Sequence, residues 1–116
     1  MKLYGIASCD TVKKARDWLT QNDITATFHD YKKLGLDAAT AAAWLQQIEW
    51  QKLINRSGLT WRGLDEARKL QIVDNASALA LMLEKTSVIK RPVLVRDATL
   101  LHIGFDAESY SKIFTL

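Results

Sequence analysis

Lys2-Leu-Tyr-Gly-Ile-Ala-Ser-Cys-Asp-Thr-Val-Lys-Lys-Ala-Arg-Asp-Trp-Leu-Thr-Gln21 is the stretch that decides the fold. Lys2 to Ile6 reads as a short strand ending near Ala7-Ser8. The polar run Ser8, Cys9, Asp10, Thr11 breaks the apolar pattern. Val12, Ala15, Trp18 and Leu19 then recur at helical spacing, so a helix is expected from about Thr11 to Gln21, stopping near Asn22-Asp23. Thr25 to His29 alternate and are β-prone, which predicts a second strand. A strand–helix–strand unit favours parallel pairing through a right-handed crossover.

Beyond this unit the pattern changes. From Asp37 to Leu83 it is helical, with no convincing strand. Asp37 is a candidate N-cap for Ala38 to Ile48. Leu53-Ile54 ends a short helix, Asn55 to Thr60 reads as a loop around Gly58, and Asp65 to Val73 as a helix. Asp74 or Asn75 caps a further helix to about Glu84, with Ala76, Leu79, Leu83 and neighbouring apolar residues expected to face inward. Val93 to Arg96 and Thr99 to Ile103 then flank Asp97-Ala98, a two-residue hairpin connection. Asp106 caps a last helix with Tyr110, Ile113 and Phe114 on its apolar side. The order β-α-β, helical block, β-β-α predicts an α/β fold: a thioredoxin-like, mixed four-stranded sheet with a helical insertion between strands 2 and 3. One domain is expected over residues 1–116, with the insertion at about 37–84 and no Pro/Gly/Ser linker.

With 116 residues, 48% of them hydrophobic, the chain can bury a core without staples. A single cysteine excludes an internal disulfide and any multi-cysteine metal site, so no metal and no resident cofactor are expected. Sixteen Lys and Arg against thirteen Asp and Glu give a net charge of +3, too mild and too scattered for a nucleic-acid-binding tail. No apolar window is long enough to span a membrane. The opening Met1-Lys2-Leu3-Tyr4-Gly5 does not read as a signal peptide. A cytoplasmic protein is the expectation.

Cys9 falls between a strand and the start of a helix. A lone cysteine is most often a small buried hydrophobe. At a helix N-terminus, however, unpaired N–H groups and the helix dipole stabilise a thiolate and make it reactive. Lys13 and Lys14 are read into the first turn of the same helix, where cations oppose the dipole; a bound anion or the thiolate itself would offset that. Cys9-Asp10-Thr11-Val12 lacks a second cysteine, so redox chemistry here is of the monothiol kind. Arg56, Lys90 and Arg91 supply positive charge, and arginine suits a bidentate grip on an oxyanion. Pro92, the only proline, opens a strand. His29 and His102 fit no metal-ligand spacing, and the four tryptophans read as packing.

Four motifs together resemble the arsenate reductase-like (ArsC/Spx) family, and within it the YffB branch. They are Tyr4 to Ala15, Phe28-His-Asp-Tyr31, Arg56-Ser-Gly-Leu-Thr-Trp-Arg62 and Ile89-Lys-Arg-Pro-Val-Leu94. The resemblance covers almost the whole chain and implies a thioredoxin-like fold with a helical insertion. It implies that Cys9 is the nucleophile, that Arg56 and Arg91 bind anions, and that Arg91–Pro92 is a cis bond. Asp10, Thr11, Val12, Lys13, Arg56, Arg91 and Pro92 are thereby the expected binding residues. Glutathione is the implied cosubstrate, with glutathione or a glutaredoxin as the regenerating partner and a disulfide or an oxyanion as substrate.

Two departures bear on the activity. Arsenate reductases carry a third arginine between the last strand and the final helix, and counting from Arg91-Pro92 that position is Gly104. Many Spx regulators, which bind RNA polymerase, carry a Cys-x-x-Cys switch that Val12 removes. The expected activity is therefore a glutathione-dependent monothiol oxidoreductase, ahead of arsenate reduction and of a non-enzymatic, polymerase-binding regulator.

Overall fold

The computed structural model describes all residues, Met1–Leu116. The chain divides into two compact units, Met1–Gly35 with Arg91–Leu116, and Leu36–Lys90.

The first unit is built on four strands: β1 (Lys2–Gly5), β2 (Thr27–Asp30), β3 (Val93–Arg96) and β4 (Thr99–Ile103). They lie in the order β2-β1-β3-β4. The β1–β2 pair is parallel, with Leu3 opposite Phe28 and Gly5 opposite Asp30. Helix α1 (Asp10–Gln21) makes the crossover between them. The β1–β3 and β3–β4 pairs are antiparallel, and the second carries a register shift between Leu94 and Val95. This is the mixed thioredoxin-like sheet expected from the sequence.

Helix α1 forms where its apolar period falls: Val12, Ala15 and Leu19 are buried. It starts one residue earlier than expected, at Asp10. The helix approaches β1 closely, and a Cβ on Gly5 would stand 2.8 Å from Val12 Cγ2. Glycine at that position lets α1 lie flat on the strand. The core beneath α1 joins Leu3, Ala15, Leu19, Leu94 and Tyr110, with Trp18, Phe28, Phe105 and Phe114 packed around it. The Tyr110 ring meets Trp18 and Phe105 edge-on, at centroid distances of 5.5 and 4.8 Å.

A one-turn helix, α2 (Tyr31–Leu34), follows β2 directly. The sequence reading does not contain it, because four residues carry too little period to register. Asp30 produces it, accepting hydrogen bonds from the backbone N–H of Lys32 and Lys33.

The second unit holds α3 (Ala38–Gln47), α4 (Trp50–Leu53), α5 (Leu59–Arg62), α6 (Glu66–Leu70), α7 (Asn75–Glu84) and a 3₁₀ turn at Thr86–Val88. Asp37, Asp65 and Asp74 cap α3, α6 and α7. Helices α3 and α7 pack together, and Asn75 donates to the Leu45 carbonyl at 3.1 Å. The stretch read as a loop at Asn55 to Thr60 runs into α5 at Leu59, and the helix read at Asp65 to Val73 is shorter. The inward face of α7 also differs. Ala78, Leu81 and Met82 are buried, whereas Ala76 is exposed and Leu83 is 37% exposed. Seven of the ten positions of α7 are apolar, with an unbroken run from Ala78 to Leu83, so the pattern alone does not fix which face turns in. No helix of the chain is long and apolar enough to cross a membrane.

The first unit closes with α8 (Ala107–Ile113), capped by Asp106 accepting from the Ser109 N–H at 2.7 Å.

Candidate functional site

The turn after β1 folds tightly, with the Cys9 N–H donating to the Ile6 carbonyl at 3.2 Å. Cys9 is thereby set as the N-cap of α1, with φ −93° and ψ 125°. Its carbonyl accepts the Lys13 N–H, the first bond of the helix. The sulfur forms no close capping bond, but the Val12 and Thr11 N–H groups are directed at it and act on its charge. The thiol is half-buried.

The other wall comes from the chain entering β3. The Arg91–Pro92 bond is cis, as the resemblance implied. The Arg91 side chain reaches the Cys9 sulfur as a hydrogen-bond donor. Partial burial alone would raise the thiol pKa. The Val12 N–H, the Arg91 side chain, the Thr11 N–H and the Arg91 charge together outweigh that, and the pKa falls below its ordinary value.

Asp30 anchors the arrangement from below. It is 7% exposed, and its Oδ2 accepts the Ala7 N–H at 3.3 Å. Its other oxygen caps α2, at 2.9 Å from the Lys32 nitrogen. One carboxylate therefore ties the Cys9 turn to the start of α2. Burial opposes its charge, but the Ala7, Lys32 and Lys33 N–H groups and the Lys33 charge hold the carboxyl below its usual range. Tyr31, the next residue, is buried, only 2% exposed. Burial pushes its phenol above the ordinary tyrosine range, against the pull of Arg91, so it stays protonated.

The expected binding residues of the first unit fall into four groups. Thr11 and Val12 serve through backbone N–H groups, and the Val12 side chain lies wholly in the core. Asp10 is the first residue of α1, exposed, with its negative charge at the favourable end of the helix dipole. Lys13 and Lys14 are exposed and stand fourth and fifth in α1, so they oppose the dipole less than a first-turn placement implies. Arg91 meets Cys9 in the first unit, and Pro92 follows it across the cis bond.

Arg56 belongs to the second unit. It is exposed, with its guanidinium 5.6 Å from the centroid of the Trp50 ring. It lines a cavity of about 510 Å³ with Asn55, Ser57, Trp61 and Lys90.

Gly104, at the position of the missing arginine, has φ +78° and donates its N–H to the Pro92 carbonyl at 2.8 Å. That left-handed conformation favours glycine over any side chain. Asp30 and Tyr31 are the residues whose local role escaped the sequence reading. The signal was there: the Phe28-His-Asp-Tyr31 motif ends on a capping residue followed by a polar-tipped aromatic. No group of three or more His, Cys, Asp or Glu side chains stands together as a metal site.

The family model of ArsC matches residues 4–113. The solved YFFB protein is 44% identical, with a TM-score of 0.89 over 97% of this chain and 96% of that one. An arsenate reductase (ArsC) related protein from Brucella melitensis is 50% identical, with a TM-score of 0.78 over 99% of this chain and 94% of its own. An uncharacterized protein of Haemophilus influenzae is 40% identical over 97% of this chain and 96% of its own length. The lone cysteine at a helix start, the cis Arg91–Pro92 bond and the mixed sheet that joins them thus have a common explanation: the chain belongs to the ArsC family of arsenate reductase-like proteins.

Proposed function

We propose that the protein is a glutathione-dependent monothiol oxidoreductase with Cys9 as its nucleophile. One observation carries this reading: the only cysteine sits at the N-cap position of a twelve-residue helix and receives the Arg91 side chain, and the helix N–H groups with Arg91 lower its pKa. A larger thiolate fraction near neutral pH is what thiol–disulfide exchange requires.

The reaction fits a substrate held in a mixed disulfide with glutathione. The Cys9 thiolate attacks the glutathione sulfur, forming a Cys9–glutathione disulfide. The substrate leaves as a thiolate and takes up a proton. A second glutathione, as its thiolate, attacks the glutathione sulfur of that adduct. Glutathione disulfide leaves and the Cys9 thiolate returns. Overall one glutathione is consumed, its sulfur is oxidised and the substrate sulfur is reduced. A glutaredoxin can replace glutathione in the second step. Arg91 would hold anionic character at the sulfur, and the exposed Lys13 would bind a carboxylate of the tripeptide.

Arsenate is the weaker substrate reading. Relatives are named for arsenate reductase, but Gly104 leaves the oxyanion one arginine short, in a backbone conformation unsuited to one. The test is the rate of Cys9 alkylation against pH, with mass spectrometry after incubation with glutathione disulfide. A midpoint well below 8.5 and a single glutathione adduct, both lost in Cys9→Ser, are expected. An ordinary thiol midpoint without an adduct overturns the proposal. Glutathione-dependent arsenite release by the wild type would instead favour the arsenate reading.

A further inference from the structure

The turn between β1 and α1 hangs on a single peptide unit. The Ile6 carbonyl accepts the Cys9 N–H at 3.2 Å, and the Ala7 N–H donates to Asp30 Oδ2 at 3.3 Å. That carbonyl and that N–H belong to one planar group, and in a trans bond they point in opposite directions. The cis bond of this chain lies elsewhere, at Arg91–Pro92. Asp30 and the Cys9 N–H thus stand at opposite ends of the Ile6–Ala7 peptide, and a rotation of its plane strains both hydrogen bonds at once.

Asp30 is placed to hold that plane. The parallel register sets it opposite Gly5, at the end of β1 from which the turn departs. It is 7% exposed, and its other oxygen accepts the Lys32 and Lys33 N–H groups at 2.9 and 3.3 Å. An ionised carboxylate is acceptor-only, so both oxygens face donors without conflict. An asparagine of the same shape keeps one acceptor and turns an amide NH₂ toward donors. Ala7 and Ser8 are exposed, so packing adds little to hold the turn.

We infer that Asp30 is a positioning residue that, through the Ile6–Ala7 peptide, fixes Cys9 at the N-terminus of α1, where the first-turn N–H groups stabilise its thiolate. This rests on Cys9 being the reactive thiol, and it adds what holds that thiol in place. Asp30 works through backbone geometry and against its own charge, because a nearby carboxylate by itself disfavours a thiolate. Loss of the position and loss of the charge therefore move the Cys9 midpoint in opposite directions.

The test is iodoacetamide alkylation of Cys9 against pH in the wild type, Asp30→Asn and Asp106→Ala, with no glutathione present. Asp30→Asn should raise the midpoint and slow alkylation about threefold on its acid side, where rate follows the thiolate fraction. An unchanged midpoint overturns the inference. A lowered one overturns it too, and marks Asp30 as a charge alone. Asp106→Ala removes the cap of α8, which loosens the same unit without touching the Cys9 turn. Its profile should match the wild type. A shift equal to that of Asp30→Asn would trace the effect to general loosening and overturn the inference.

Should Asp30→Asn not fold, amide hydrogen exchange in the wild type decides. Relative to intrinsic rates, the Ala7 N–H should exchange at least about tenfold more slowly than that of its exposed neighbour Ser8. Equal protection overturns the inference. An ordinary thiol midpoint in the wild type would overturn the proposed function, and this inference with it. A lowered midpoint that Asp30→Asn leaves in place overturns this inference alone.

Discussion

Arg91 and Arg56 present the same guanidinium to opposite surroundings. Arg91, in the first unit, is half-buried and faces the Cys9 sulfur and the Tyr31 hydroxyl. Arg56, in the second unit, is exposed beside the Trp50 ring and lines a cavity with Lys90. A cation partly withdrawn from water acts strongly on a neighbouring thiol, because little solvent screens it. An exposed cation is screened and acts chiefly on what comes to bind. The difference separates a cation that acts on the thiol from one that is open to solvent.

The hardest strain on that separation is the support beneath the Cys9 turn. Asp30→Ala removes the acceptor shared by the Ala7, Lys32 and Lys33 N–H groups. A loss of about 2 kcal/mol is expected in urea unfolding. The pH dependence follows from the direction of the Asp30 shift. Its folded pKa lies below its unfolded one, so its stabilisation is full above the unfolded value, near 3.9, and disappears as pH falls through the folded value. Asp30→Asn should flatten that acid loss, and an unchanged acid limb would show that Asp30 does not anchor the turn.

Arg91→Ala comes next in size. With the donor and the charge both gone, burial is left to oppose the thiolate, and the midpoint of Cys9 alkylation should rise. One pKa unit corresponds to about tenfold less thiolate on the acid side, and a slowing of that order at pH 6 is expected. An unchanged profile would mean that the α1 N–H groups suffice, and the contrast between the two arginines would lose its first half.

How much of this was legible varies along the chain. The first unit was, because α1 buries Val12, Ala15 and Leu19 at a clean helical period and β3–β4 turn on Asp97-Ala98. In α7 the elements were legible but the buried face was not, since apolar residues surround the whole helix and packing against α3 decides. For the site, Cys9 stood out by its place between strand and helix. Arg91 counted among three candidate cations, but only the resemblance set it beside Cys9, because a single arginine before a proline looks like any surface arginine. Tyr31 and Asp30 were quoted as part of a motif, yet their roles depend on the parallel β1–β2 register, which joins residues far apart in sequence.

Gly104 marks where the set of arginines ends. An alanine there would meet no atom within 4 Å, so its penalty is conformational only. Holding a side chain at φ +78° costs about 1 kcal/mol, and Gly104→Ala should lower the urea midpoint accordingly. Gly104→Arg should cost a similar amount. A larger loss would mean that the Gly104–Pro92 hydrogen bond is disturbed as well.

The smallest expected effect is the sharpest for the comparison. Arg56→Ala removes an exposed cation, so the pH profile of Cys9 alkylation should stay where it is. If Arg56 binds a carboxylate of glutathione, the KM for glutathione should rise about threefold, in keeping with roughly 0.2–1 kcal/mol for an exposed ion pair. Raising the salt concentration should shrink that difference, because screening weakens the wild-type interaction and leaves the variant nothing to lose. A shifted thiol profile would merge the two arginines into one task. A KM unchanged at low salt would leave Arg56 with its place beside Trp50 and no part in binding glutathione.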